Sequence, residues 1–307
     1  MMNVVSVVVT YNRLSLLKEC VEALKRQTVP VCKIIIVDNH STDGTSEYLQ
    51  GVAADERFQI ITFPENMGGS AGFSEGIRQA AYAHADWIWV MDDDTIPNED
   101  ALERLLPYTQ IDKVGFVNSK VTWTDGTLHL MNKPTLLKDQ SIKATLFQGR
   151  ESLGEQADMI EMASFVSLLV RGNIPWEIGL PYKEFFIWCD DVEYTNRISS
   201  QGYYGIWAHD SVVLHKTLVN YEGNLKTISA TAAWKLYYGV RNESFIRRKR
   251  KGWLRFFFAQ LNCFRTHRRR IRSRKLPKEE EQALLKANNR GLWDGFTFCP
   301  KIDYLEQ

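Results

Sequence analysis

Short apolar runs, each followed by a polar loop, recur along the first hundred residues and set the class of fold. Val4-Val5-Ser6-Val7-Val8-Val9-Thr10 is β-branched almost throughout. A run with so little polar alternation is apolar on both faces, as strands covered on both sides in a parallel sheet are. Lys33-Ile34-Ile35-Ile36-Val37 is a second such strand and Phe58–Phe63 a third. A fourth, Trp87-Ile88-Trp89-Val90-Met91, ends at Asp92-Asp93-Asp94. Between them, Leu14–Gln27 and Phe73–Ala85 have helical periodicity. Ser41-Thr42-Asp43-Gly44 is a turn that opens another helix, with Thr42 or Asp43 as its cap. This β-α-β-α-β-α-β alternation with short loops predicts a doubly wound α/β sheet.

Later segments are less regular. Val114–Val117 and Met162–Arg171 read as strands, Asp190–Gln201 as a helix, and Val212-Val213-Leu214 as a short strand ending at His215. Trp123–Glu155 shows no assignable period. Ile228–Arg250 reads as a helix, and after it Trp253, Phe256, Phe257, Leu261 and Phe264 share one helical face. Leu276-Pro277 ends that segment, and Glu279–Asn288 is a short last helix. The expected division is a sheet domain over 1–225 and a helical region over 226–307.

The net charge of +1 conceals an asymmetry. Residues 247–275 hold thirteen Lys/Arg and no Asp/Glu, so the rest of the chain carries −12. Such a basic segment calls for a polyanionic surface. Its interleaved Trp253, Phe256, Phe257, Phe258 and Phe264 favour an anionic bilayer over nucleic acid. A helix packed on the sheet domain with a solvated basic face is the plain alternative. No apolar run approaches the roughly 20 residues that span a bilayer. Met1-Met2-Asn3 leads straight into a strand, which does not read as a secretory signal. The five cysteines lack metal-ligand spacing and fit reduced thiols in a cytosolic protein. The expected location is therefore the cytoplasm, peripherally on the inner face of the cell membrane; an oligomer is compatible with all of this.

Chemistry concentrates at the strand ends. The Asp triplet would sit at the carboxyl edge of the sheet, where ligands bind in open α/β folds. Three adjacent carboxylates repel unless a cation or several donors hold them. A hard divalent cation does this and keeps positions open for phosphate oxygens. The alternative is an acidic helix start ahead of Pro97-Asn98-Glu99-Asp100. Thr10-Tyr11-Asn12-Arg13, Asp38-Asn39 and Asn66-Met67-Gly68-Gly69 end the other three strands at that edge. Asp38 would accept from a ligand's base or ribose, or else cap the next helix. Gly68-Gly69-Ser70-Ala71-Gly72 opens a helix whose backbone N–H groups suit an anion. Neither Gly-x-Gly-x-x-Gly after the first strand nor a Walker A sequence is present, which argues against nicotinamide, flavin and ATPase chemistry. A second acidic group, Trp188-Cys189-Asp190-Asp191-Val192-Glu193, follows Phe185-Phe186-Ile187. Carboxylates beside bulky apolar groups have raised pKa values, which suits a general base; acids at a helix N-terminus are the other reading.

Together these residues resemble family-2 inverting glycosyltransferases with the GT-A fold, a Rossmann-like mixed sheet flanked by helices. The matching pieces are Val7–Arg13, Val37–Thr45, Asn66–Gly69, Met91–Asp94 and Asp190–Glu193, in family order over about residues 4–216. Asn66–Phe73, the full triplet, Trp188 and His215 are most similar to bacterial galactofuranosyltransferases; Cys189, between Trp188 and the Asp pair, is a departure. The resemblance implies that Thr10, Asn12, Arg13 and Asp38 hold uridine, with Asn66, Gly68 and Gly69 on the donor. Asp92 and Asp93 would lie near the ribose and the metal. Asp92, Asp94 and His215 would ligate Mn²⁺ or Mg²⁺. Asp191 would be the base, with Trp188 and Asp190 positioning the acceptor. The expected reaction moves galactofuranose from UDP-galactofuranose to a lipid-linked saccharide. A rhamnosyltransferase using dTDP-rhamnose is the near alternative, and a nucleotidyltransferase a weaker one. A non-catalytic membrane- or nucleic-acid-binding adaptor would leave both acidic groups without a purpose.

Overall fold

The computed structural model describes residues 2–306. In chain order the elements are β1 (Val4–Thr10), α1 (Leu14–Lys25), β2 (Lys33–Asp38), α2 (Thr45–Val52), β3 (Phe58–Thr62), α3 (Gly69–Tyr82), β4 (Trp87–Asp92) and β5 (Thr95–Pro97). Then come α4 (Ala101–Thr109), β6 (Val114–Thr122), β7 (Thr135–Leu136), α5 (Ile142–Leu146), α6 (Glu151–Glu155), β8 (Ala157–Met162), β9 (Leu168–Arg171), α7 (Ile174–Ile178), α8 (Asp190–Ser200) and β10 (Tyr204–His215). The last helices are α9 (Ala233–Lys251), α10 (Trp253–Ser273) and α11 (Lys278–Asp294). The chain forms two units. One runs from β1 to Lys183, over Asp191–Asn220, and on from Ile302; the other comprises Glu184–Asp190 and Tyr221–Lys301.

The first unit is a mixed sheet in the order β3-β2-β1-β4-β9-β6-β10-β8-β7, with β5 paired to β10. β1 to β4 are parallel, as their apolar runs require. Successive side chains feed opposite faces: Val8, Ile36, Trp89 and Met91 pack with α1 and α4. Val7, Val9, Ile35 and Val90 pack with Phe73 and Ile77 of α3 and Tyr194 and Ile198 of α8.

Several expectations need correction. Met162–Arg171 is two strands, because Ser167 turns with φ +55° and Asn118 Nδ2 holds the Val166 and Ser167 carbonyls at 3.1 and 3.2 Å. β9 then lies antiparallel between β4 and β6, while β8 lies beyond β10. β10 starts eight residues before the expected Val212, its apolar pattern interrupted by an irregularity between Ala208 and Val212. α3 opens at Gly69 rather than Phe73, α9 at Ala233 rather than Ile228, and α11 continues to Asp294. The cap position of α2 is Gly44 with φ +89°; Asp43, one residue earlier, accepts from Thr45 Oγ1 at 2.6 Å.

In the second unit α9, α10 and α11 enclose a small core of Ile228, Leu236, Val240, Ile271, Leu284 and Leu292. A Cβ on Gly291 would lie 2.6 Å from the Tyr237 carbonyl oxygen, so glycine permits that close crossing of α9 and α11. Among the described residues no helix is long and apolar enough to cross a membrane.

Candidate active site

β1 and β4 run side by side with Val9 opposite Asp92, so both strands end at one edge. After β4 the chain turns at Asp93-Asp94 and returns as β5, which is not the helix start considered above. β5 pairs antiparallel with the end of β10, setting Thr95 opposite His215. That ladder brings His215 Nε2 to 3.0 Å from Asp94 Oδ1 across 121 residues of sequence. The Lys216 N–H donates to the Asp94 carbonyl at 2.9 Å and completes the tie.

Asp93 and Asp94 are buried and held by donors, while Asp92 is half-buried. Thr10 Oγ1 donates to Asp93 Oδ2 at 2.7 Å. Arg13 Nη1 reaches Asp93 Oδ1 at 3.2 Å and Asp94 Oδ2 at 2.6 Å. Burial pushes the Asp93 carboxyl up to about 7; Arg13 opposes this and the Asp94 charge adds to it. Burial also works against an ionised Asp94, but the hydrogen bond and charge of His215, followed by Arg13, outweigh it. Asp94 is thus held well below the usual carboxylate range. His215 is raised in turn by Asp94, against its own burial.

Ligating atoms of Asp92, Asp94 and His215 all lie within 4.8 Å of one another. Two carboxylates and an imidazole fit a divalent cation such as Mn²⁺ or Mg²⁺. The other ring nitrogen of His215, Nδ1, meets Asn132 Oδ1 at 2.8 Å, which orients the ring and leaves Nε2 facing Asp94. His129 packs against this ring at 4.5 Å and its Nε2 meets Thr217 Oγ1 at 2.8 Å. Burial pushes His129 down to about 4, followed by the nearby His215, so it is neutral at pH 7.

Asp191 is the second residue of α8. It keeps partial exposure to solvent, yet loss of surrounding water pushes its carboxyl up to about 6. The Val192 N–H, donating to Oδ1 at 2.7 Å, opposes this; the Asp92 charge is close enough to add to it. Asp191 and Asp92, both in the first unit, are therefore close enough to influence each other.

The sequence profile of glycosyl transferase family 2 matches residues 6–165, a stretch that begins in β1 and contains the triplet. The chain belongs to this family. It is 29% identical over 218 residues to glycosyltransferase AglE of Haloferax volcanii, covering 69% of this chain and 66% of that protein. It is 27% identical over 205 residues to galactofuranosyltransferase GlfT1 of Mycolicibacterium smegmatis, covering 65% and 66%. The chain thus spans slightly less than two thirds of these relatives' lengths. Staphylococcus aureus TarS 1–349 in complex with UDP-GlcNAc has the same fold, with TM-score 0.58 at 14% identity over 93% of this chain and 79% of that one. So does GalNAc-T7 with UDP, GalNAc and Mn²⁺, with TM-score 0.60 at 14% identity over 94% and 55%.

In this family-2 glycosyltransferase the residues expected on the donor mostly brace the sheet edge. Asn12, at φ +52°, accepts the Thr42 N–H at 2.7 Å while its own N–H donates to Ser41 Oγ at 2.9 Å. Asp38 is fully buried; it accepts from the Ser41 N–H at 3.0 Å and from Ser46 Oγ at 3.3 Å. Asn66 Oδ1 accepts from the Gly68 N–H at 2.9 Å, and Gly68 turns at φ +84° into α3, whose first residue is Gly69. Asn39 Oδ1 and Ser70 Oγ are buried at this edge without a hydrogen-bond partner among the described residues.

Trp188 and Asp190 belong to the second unit. Phe186, Trp188 and Cys189 all have left-handed backbone, with φ of +67°, +66° and +70°. Such strain persists only where surrounding groups impose it. Asn242 Nδ2 does so by donating to the Phe185, Ile187 and Trp188 carbonyls at 3.0, 3.1 and 3.0 Å. Trp188 packs on α9 at Gly239, where a Cβ would lie 2.7 Å from Trp188 Cε3. Asn132, His129 and Asn242 were not singled out from sequence. The first two lie in the stretch without period, and a buried Asn inside a helix carries no local signal.

Proposed function

We propose that this glycosyltransferase is metal-dependent and inverting, and that it moves galactofuranose from UDP-galactofuranose to a lipid-linked saccharide in cell-surface polysaccharide synthesis. The observation that carries the proposal is the convergence of Asp92, Asp94 and His215 within 4.8 Å, with Asp191 near enough to sense Asp92. Support for the sugar comes from the Asn66–Phe73 segment and from the likeness to the galactofuranosyltransferase.

Asp191 takes the proton of the acceptor hydroxyl as that oxygen bonds to the anomeric carbon. The bond from that carbon to the diphosphate breaks on the opposite face, and its electron pair leaves with the nucleotide. One displacement inverts the configuration and leaves the proton on Asp191. A base whose pKa is about 6 is ionised at neutral pH yet still basic enough to share the proton in the transition state. Held by Asp92, Asp94 and His215, Mn²⁺ or Mg²⁺ would act as a Lewis acid on the departing diphosphate. Arg13 keeps Asp93 and Asp94 in place beside it. Thr10, Asn12, Asp38, Asn66, Gly68, Gly69 and Asp93 shape the donor side. The basic segment 247–275 would hold the protein peripherally on the anionic inner face of the cell membrane, where lipid-linked acceptors reside.

Incubation with a panel of nucleotide sugars plus Mn²⁺ tests the donor. Release of UDP from UDP-galactofuranose is the expected result. Release of dTDP from dTDP-rhamnose instead would assign the protein as a rhamnosyltransferase.

A further inference from the structure

α10 carries one spacing twice. Leu254, Phe257, Phe258 and Leu261 are followed eleven residues later by Arg265, Arg268, Arg269 and Arg272. Eleven residues make about three turns, so both sets lie on the same side of the helix, about 16 Å apart along its axis. Phe256, Gln260, His267 and Ile271 are buried on the other side. The outward face is therefore apolar in its first half and cationic in its second.

Both halves are open to solvent. Leu254 and Phe258 are 73% and 63% exposed, and Phe257 and Leu261 are also exposed. Ring contacts join the apolar half to α11 and the turn after it: Phe257 meets Phe258 at 5.8 Å and Phe296 at 6.5 Å, and Phe296 meets Trp293 at 5.6 Å. Trp253 packs on the buried Phe256 at 5.8 Å, and Phe256 on Phe296 at 5.2 Å. Trp253 and Trp293 are themselves 62% and 68% exposed, so the patch is contiguous and open to solvent. Contiguous exposed apolar surface marks an interaction site. In the cationic half, Arg265, Arg268 and Arg269 form no ion pair among the described residues, and Arg272 comes only to 3.8 Å of Glu281. Four arginines on one face repel each other until an anionic surface neutralises them.

We propose that the outer face of α10 docks obliquely on an anionic bilayer. The half from Leu254 to Leu261 enters the acyl boundary together with Trp253 and Trp293, while the arginine half rests on the lipid phosphates. Interfacial helices bury their apolar face about 5–10 Å deep. Spread over the distance between the two halves, that depth corresponds to a tilt of about 20–40° from the membrane plane. The proposal rests on the peripheral membrane reading above and adds which residues insert, which bind phosphate, and the slope between them.

Sedimentation of the full chain with phosphatidylcholine vesicles, with and without phosphatidylglycerol, tests it without requiring turnover. Failure here is thus separable from failure of the donor or acceptor assignment. The wild type should bind only the anionic vesicles tightly. Arg268→Gln with Arg269→Gln should weaken that binding about thirtyfold at low salt, from the usual contribution of each basic residue. Phe257→Ser with Phe258→Ser should weaken it by an amount that salt does not change. Lipids brominated near the headgroup should quench the wild type more than Trp253→Phe. All substituted side chains are exposed, so the fold is retained. Unchanged binding in the Phe pair, or quenching indifferent to Trp253, would overturn the insertion. Equal retention on neutral vesicles would overturn the arginine role. Preferential capture of RNA, or a concentration-dependent dimer dissolved by the Phe pair in the absence of vesicle binding, would overturn the whole.

Discussion

Asp191 balances two opposing influences: burial raises its carboxyl, and the backbone N–H of Val192 at the start of α8 lowers it. Burial prevails, at about 6. As the proposed base, Asp191 works when ionised, so kcat/KM should fall about tenfold per unit as pH drops below that value, and a pH–rate profile checks this. Asp191→Asn removes the proton acceptor at nearly constant volume. It should cost about 10²–10⁴ in kcat with donor affinity almost unchanged, measured by calorimetry with the nucleotide sugar. Normal turnover in that variant would exclude the assignment. Asn132 acts through His215; Asn132→Ala should weaken Mn²⁺ binding about 10–100-fold in a direct titration. The upward shift of the Asp191 carboxyl agrees with what a carboxylate following Phe185-Phe186-Ile187 leads one to expect, while its role as base is the proposal above. Asn132 was not legible in sequence, because its importance comes from meeting His215 across 83 residues. Arg13 shows the same limit: its charge was visible, but that it would hold two members of the triplet depended on the β1–β4 pairing.

At the level of elements, the first four strands were readable because each is apolar on both faces. β9 was blurred with β8, because nothing local says that Leu168–Arg171 inserts antiparallel between β4 and β6. Nor could the β5–β10 ladder be read from three residues, Thr95–Pro97, although it delivers His215. The Gly68–Gly72 cluster suggested an anion site, but Gly72 also serves packing: a Cβ there would lie 2.6 Å from Val9 Cγ1, and one on Gly76 would lie 2.2 Å from Val7 Cγ1. Gly76→Ala should therefore destabilise the protein by about 1–3 kcal/mol through overpacking of α3 against β1, seen as a lower urea midpoint. Asn242→Ala should cost about 1–3 kcal/mol, since it leaves three carbonyls of the 185–188 loop without their shared donor.

For the whole molecule, the charge asymmetry pointed to a basic segment, and α10 carries six of its thirteen Lys/Arg, four of them on one face. The sequence did not reveal that the same face is apolar for half its length and cationic for the rest. Cation binding belongs to this scale as well. A site assembled from β4, the turn into β5 and β10 exists only when the sheet is folded. Mn²⁺ at a hundred times its Kd should therefore stabilise the protein by about 2.7 kcal/mol, read as a rise in Tm that EDTA reverses. An unchanged Tm would mean that Asp92, Asp94 and His215 do not hold the ion.

The glycines of α3 have a mechanical consequence. With no Cβ between them, helix and first strand are pressed together like two plies of a laminate. The Asn66–Gly69 approach and the Thr10–Arg13 approach are consequently mounted on a single stiff plank. Neither can shift without carrying the other along.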